Sequence, residues 1–183
     1  FEEKVKERTK HITIVLENIF QARNISASLR SADCFGIQDV HIIENTNSFK
    51  DDNEVSMGSS KWLNIKKYNK KENNTKEAIL DIKKLGYTVI ATTPHETDTS
   101  LFDINLDNKI AMIFGAEMEG CSREALNLSD YKMNIPMYGF TESFNISVSV
   151  ALCLQHLTYQ LRKYNIEFRL SEKEKNETIL KWL

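Results

Sequence analysis

The chain has 183 residues, with 24 Lys plus Arg against 26 Asp plus Glu, for a formal charge of −2. That balance excludes a polycation gripping nucleic acid by bulk charge, because phosphate neutralisation supplies most non-specific affinity, so any RNA or DNA contact must be local. The length fits one domain with appendages, and the 41% hydrophobic and 27% charged fractions fit a globular chain, not a disordered one.

His11 to Glu17 is a β-branched run of buried-strand length. Asn24 then reads as the cap of a helix with Ile25, Leu29 and Ala32 on one stripe, stopped by Gly36. Arg30 lies about 140° around from Ile25, off that stripe, and on this segment alone it reads as a solvated arginine. Val40 to Ile43 is a second strand, giving a β-α-β start. Residues 44–60 form a polar connection longer than the usual loop, functional or mobile, with a lid as one reading.

From Lys61 to Lys84 eight lysines face Glu72, Glu77 and Asp81, a local excess of five positive charges. This stretch reads equally as a solvated face on a helix near Thr75 to Leu85 or as an RNA contact. Tyr87 to Thr92, Lys109 to Phe114 and Tyr131 to Met137 are further strands. Ser122 is a natural cap for a helix over Arg123 to Leu128, and Asn145 opens a long amphipathic helix through Ile146, Val150, Cys153, Leu154, Leu157 and Leu161. Ser171 and Glu174 form a capping box before a last helix, whose Trp182 and Leu183 need a surface.

Strands alternating with helices give an α/β class with an open, mostly parallel sheet and flanking helices, in which ligands sit beyond the carboxyl ends of the strands. Cys34, Cys121 and Cys153 are an odd number at separations of 87 and 32, which suits buried free thiols better than disulfides or zinc. No metal is expected. No apolar run reaches the ~20 residues that span a bilayer, so the chain is expected to be cytoplasmic, and its start at Phe1 instead of Met leads us to expect missing upstream residues.

Phosphate-loop, dinucleotide, serine-hydrolase and zinc-protease signatures are absent from the sequence. Three short segments remain: Asn24-Ile25-Ser26-Ala27-Ser28-Leu29-Arg30; Gly115-Ala116-Glu117-Met118-Glu119-Gly120; and Ile135-Pro136-Met137 followed by Ser143-Phe144-Asn145-Ile146-Ser147. Gly115 leaves room for a ligand against the backbone, and Glu117 alone reads as a partner for the positive end of the next helix.

In this order the three segments resemble the SpoU (SPOUT-class) RNA ribose 2′-O-methyltransferases, with N-x-x-A-x-x-R, G-x-E-x-x-G, and I-P-M before S-L-N-x-S, from about Ile12 to Arg162. Phe144 stands where that pattern has Leu. Leu16-Glu17-Asn18-Ile19 and the capped carboxyl-terminal helix point to the branch acting on tRNA guanosine. The resemblance implies a C-terminal trefoil knot, a homodimer and S-adenosylmethionine as methyl donor. It also implies a methyltransferase domain over 1–165 with a helical extension over 166–183.

By the same resemblance, Thr92, Gly115, Ile135, Met137, Ser143, Phe144 and Asn145 hold the cofactor, and Arg30 is the base or activator, positioned with Asn24 and Glu117. A guanidinium is normally always charged, with a pKa above about 12, so Arg30 is better cast as stabilising the developing alkoxide, with a substrate phosphate or Glu117 relaying the proton. Lys61, Lys66, Lys67, Lys70 and Lys71 are the candidate RNA contacts. The implied substrate is the D-loop guanosine of tRNA; ribosomal RNA, another tRNA position, or an inactive RNA-binding member of the fold are the alternatives.

Overall fold

The computed structural model describes residues 1–95 and 97–183. In chain order it contains α1 (Glu2–Val5), β1 (Ile12–Glu17), α2 (Ala22–Cys34), β2 (Asp39–Ile43), α3 (Asn53–Ser56), β3 (Asn64–Tyr68), α4 (Thr75–Lys84) and β4 (Tyr87–Thr92). These are followed by β5 (Thr99–Ser100), β6 (Lys109–Phe114), α5 (Arg123–Leu128), β7 (Tyr131–Asn134), α6 (Ile146–Lys163) and α7 (Glu172–Trp182). The strands form one seven-stranded sheet in the order β3-β2-β1-β6-β4-β7-β5, every pair parallel.

A parallel sheet needs both faces covered, which is why β1 and β6 read as continuous apolar runs. Successive side chains point to opposite faces. Ile12, Ile14 and Leu16 with Ile110, Met112 and Phe114 pack in one layer, under α2 and α6. Val15, Ala111 and Ile113 face the other layer, under α4 and α5. Through Val150, Cys153, Leu154, Leu157 and Leu161, α6 contributes a fully buried stripe. Truncating one such leucine to alanine costs about 2–5 kcal/mol.

Several expectations are corrected. The 44–60 connection is not a free lid: Asn18 Oδ1 accepts from the amides of Thr46 and Asn47, both at 2.9 Å, Glu44 accepts from the Phe49 amide at 2.8 Å, and Ser26 donates to Asp51 at 2.9 Å. Its polar residues are hydrogen-bonding partners of the fold, and α3 within it packs on α2. The strand expected to end at Met137 stops at Asn134, and 135–145 is irregular. Cys34 is exposed, while Cys121 and Cys153 are buried as free thiols.

Residues 166–183 are knitted to the amino-terminal segment. Thr9 bridges Arg169 and donates to the Phe168 carbonyl at 2.7 Å, and Phe168 and Leu170 are buried. The Ser171 capping box forms, and Trp182 finds its surface against Trp62 and Phe1, each ring centroid 5.9 Å away, whereas Leu183 stays exposed.

His41 on β2 is buried and stacked on Tyr68, with Nδ1 3.2 Å from the Tyr68 hydroxyl and Nε2 without a partner among the described residues. Burial, helped by the Lys66 charge and opposed by Asp81, pushes its pKa down to about 4 from an ordinary 6.5. Between those values the unfolded chain takes up the proton and the folded one does not, so stability is full above the higher value and falls as pH drops through the window. His41→Leu is therefore expected to lose ~3 kcal/mol less than wild type between pH 7 and pH 4 in urea unfolding; parallel pH curves for the two proteins would contradict this.

Candidate functional site

Beyond the carboxyl ends of β4, β6 and β7 lies a cavity of about 620 Å³, within the range usual for small-molecule sites. Its walls are the loop after β4, the turn 115–121, and the irregular 135–145 connection running into α6. Thr92, Gly115, Ile135, Met137, Ser143, Phe144 and Asn145 all line it, as does Glu117.

The turn after β6 closes on itself. The Gly120 amide donates to the Ala116 carbonyl at 2.8 Å, and Gly120 sits at φ +68°, a left-handed conformation that favours glycine. A β-carbon on Gly115 would lie 2.0 Å from the Gly120 carbonyl carbon and 2.1 Å from the Cys121 nitrogen. The expectation that Gly115 leaves room for a ligand is thus corrected: the chain's own backbone fills that space, although the residue still borders the cavity.

Glu117 does not serve the next helix. Its carboxylate accepts from the Phe20 amide at 3.0 Å, the Gln21 amide at 3.2 Å and the Asn24 side-chain amide at 2.7 Å. It thereby supplies, from 93 residues away, the acceptor that the amino terminus of α2 lacks, because the actual cap residue, Gln21, makes no side-chain cap bond. Asn24 lies inside the first turn of α2 and is not its cap, which corrects the expectation for that residue. Burial pushes the Glu117 carboxyl up, but the bonds from Asn24, Phe20 and Gln21 outweigh it and hold the group below the usual carboxylate range.

The chain of hydrogen bonds continues. Asn24 Oδ1 accepts from Asn145 Nδ2 at 3.1 Å, and Asn145 Oδ1 accepts from the amide and hydroxyl of Ser147 at 2.9 and 2.7 Å, capping α6. Glu117, Asn24 and Asn145, the three links of this chain, therefore each belong to a different segment singled out in the sequence. Ser143 lines the cavity without a side-chain hydrogen bond among the described residues, and Phe144 is half exposed on its wall.

Arg30 and the lysines are not brought to this wall. Arg30 is exposed on α2, six residues or ~9 Å of helix beyond Asn24. Lys66, Lys67 and Lys71 are in ion pairs with Asp81, Glu44 and Glu77 at 2.9, 3.3 and 3.0 Å, at the β3 edge of the sheet. That edge is three strands from β6, or ~14 Å. Lys61 and Lys70 are exposed and make no ion pair among the described residues.

Two features were not expected. Glu17, buried at the end of β1, accepts from Thr75 Oγ1 and from the hydroxyl and amide of Ser122, at 2.7, 2.7 and 2.9 Å, tying β1 to the first residue of α4 and the cap of α5. Cys121 borders the cavity, but burial and then the Glu17 charge push its thiol up to about 12, so it is no thiolate at neutral pH. Among the described residues there is no group of His, Cys, Asp and Glu side chains able to hold a metal ion, and no helix is long and apolar enough to cross a membrane.

The cavity's charge is acidic. Glu117, Glu119 and Glu142 line it against Lys132 and His95, and its apolar wall includes Met133, Ile135 and Phe144. Such a lining suits a ligand that combines a cation with a flat apolar ring.

Residues 11–155 match the model of the SpoU rRNA Methylase family. A tRNA (guanosine(18)-2′-O)-methyltransferase of Borreliella burgdorferi is 42% identical over 175 residues, covering 96% of this chain and 78% of its own. The crystal structure of the A. aeolicus TrmH/SpoU tRNA modifying enzyme superposes with a TM-score of 0.88 at 26% identity, over 98% of this chain and 91% of that one. The SpoU methyltransferase AviRb from Streptomyces viridochromogenes, solved with its cofactor AdoMet, shares the fold with a TM-score of 0.70 at 20% identity, over 91% of this chain and 62% of that one. The three hydrogen-bonded segments around one cavity, the parallel sheet that carries them and the match across most of the sequence have a common origin: the chain belongs to the SpoU methylase family.

Proposed function

We propose that this protein transfers a methyl group from S-adenosylmethionine to the 2′-hydroxyl of guanosine 18 in tRNA, the activity named for its Borreliella relative. The carrying observation is the Glu117–Asn24–Asn145 hydrogen-bond chain at the edge of an acid-lined cavity of about 620 Å³. When bound, the cofactor supplies an electrophilic methyl group on a positively charged sulfur. The Glu117, Glu119 and Glu142 carboxylates favour that cation, and the wall of Met133, Ile135 and Phe144 suits the adenine. Residues 1–165 form the methyltransferase domain in this reading, with 166–183 as its extension.

The chain's own residues then divide the work. Asn145 and Asn24 fix the cavity wall relative to α2, which carries Arg30. Arg30 stands off the cavity wall on α2; we assign it the part of a cation that offsets charge developing on the ribose oxygen when the RNA lies against that helix. Glu117 is a weak base, because accepting several N–H bonds stabilises its charged form. Its part is to position α2, which leaves an RNA phosphate as the proton relay. For RNA contact we favour Lys61 and Lys70 over the paired Lys66, Lys67 and Lys71.

We read the protein as a cytoplasmic homodimer with the trefoil knot of its family. The partly exposed stripe of Val148, Leu152 and Tyr159 on α6 supports self-association. The placement of β7 beyond β4, so that the chain leaving β6 crosses β4 to pair on its far side, supports the knot.

The deciding experiment incubates the protein with labelled S-adenosylmethionine and unmodified tRNA or ribosomal RNA and maps the modified nucleotide. Label at guanosine 18 of tRNA is expected; label only in ribosomal RNA, or none, overturns the reading. Arg30→Ala is expected to lower methyl transfer by about 100-fold or more, the scale of losing a preorganised charge at the reacting oxygen, while cofactor affinity by calorimetry changes less than about threefold. Transfer within a few-fold of wild type sinks the role of Arg30. Glu117→Ala should destabilise the protein by about 0.5–2 kcal/mol, the scale of losing an acceptor at a helix start, and unchanged denaturant midpoints would refute that. Reversing Lys61 and Lys70 to Glu should weaken tRNA binding and reduce its logarithmic salt slope by about 2, whereas an unchanged slope removes them from the RNA surface.

A further inference from the structure

Large apolar side chains stand in water on the segments that bound the cavity. Tyr138 is 95% exposed and Phe140 fully exposed, at the outer bend of the 135–145 connection whose two arms, at Met137 and Glu142, line the cavity. Met118, 95% exposed, lines it from the other turn, and Phe20, 75% exposed, is tied by its amide to the adjacent Glu117. Neither Tyr138 nor Phe140 stacks on another aromatic ring among the described residues. Exposed apolar groups gathered at one opening mark a surface that something covers.

We propose that Tyr138 and Phe140, flanked by Met118 and Phe20, are a stacking platform for unpaired bases of the substrate RNA loop. This rests on the function proposed above. A ribose cannot approach the cavity without its own base and its neighbours, so the surface around the opening must meet bases. The same opening is poorly suited to phosphate, because Glu117, Glu119 and Glu142 face a single lysine there, Lys132. Stacking on aromatic faces needs no positive charge, and single-stranded RNA is commonly held this way. A chain of net charge −2 can thus hold RNA at its reaction centre chiefly by rings, with the relaying phosphate beside the target ribose and the other phosphate contacts elsewhere. The continuity of these residues with both walls of the cavity selects RNA as occupant over a second copy of the chain.

The test compares wild type with Tyr138→Ala/Phe140→Ala and with Phe140→Trp, using an unmodified tRNA transcript. Loss of one base–aromatic stack corresponds to roughly five- to 150-fold in affinity. The double variant is expected to raise KM for tRNA at least tenfold, with the Kd for S-adenosylmethionine within about twofold of wild type and an unchanged thermal midpoint. Phe140→Trp should keep KM near wild type and add tryptophan emission that tRNA quenches. An unchanged KM in the double variant, or unquenched emission in Phe140→Trp, overturns the platform while wild-type transfer leaves the proposed function standing. Wild-type protein that modifies no tRNA overturns both. Dissociation of an oligomer by the double variant in sedimentation assigns the surface to a second copy and also overturns the platform.

Discussion

The carboxylate of Glu117 holds the site together. The amino end of α2 presents unsatisfied N–H groups and the positive pole of the helix, and Gln21 makes no side-chain bond to them. Glu117, on the turn after β6, accepts from the amides of Phe20 and Gln21 just ahead of the helix and sets a negative charge at that pole, and its second role follows from the first. By accepting from Asn24, it turns the carbonyl oxygen of that amide toward Asn145, which in turn caps α6. Three segments far apart in sequence are locked in one relative position by side chains that each have few alternatives. The close-packed Gly115–Gly120 turn makes the lock rigid, since it fixes where Glu117 starts.

Much of this architecture was legible locally. β1, β6 and α6 carry their own periodicity, and the caps at Ser122, Asn145 and Ser171 act within three residues of themselves. What could not be read depends on distant partners. Asn24 looks like a cap by composition, but the acceptor at that helix end comes from Glu117, so the asparagine moves into the first turn and becomes a link. Gly115 looks like a place for a ligand, yet the neighbour that excludes a side chain is backbone five residues on. β3 was hidden because Asn64-Ile65-Lys66-Lys67-Tyr68 is mostly polar, as suits an edge strand that must not pair further.

The charge count shows the same limit. Between Lys61 and Lys84 the sequence has an excess of five positive charges, but Glu44 and Asp130 lie outside that window and reach Lys67 and Lys83 at 3.3 and 2.6 Å. A linear tally overstates the free charge on a folded surface. Exposed pairs of this kind add little stability, so their main effect is on the field that an approaching anion meets. The acid-lined cavity and the largely neutralised β3 edge leave a molecule whose positive charge is sparse and dispersed.

The position of β6 has a consequence for the chain as it is made. β1 lies between β2 and β6, and Ile12 pairs with Ile110. One edge of a mostly apolar strand therefore has no partner until β6 emerges, about 100 residues later, which at ribosomal speeds of 5–20 residues per second is roughly 5–20 s. Throughout that interval the nascent chain presents an open sheet edge of the kind that recruits other strands. The centre of the sheet is thus the last part of its first half to be protected, and the vulnerable period of this protein falls before the site exists at all.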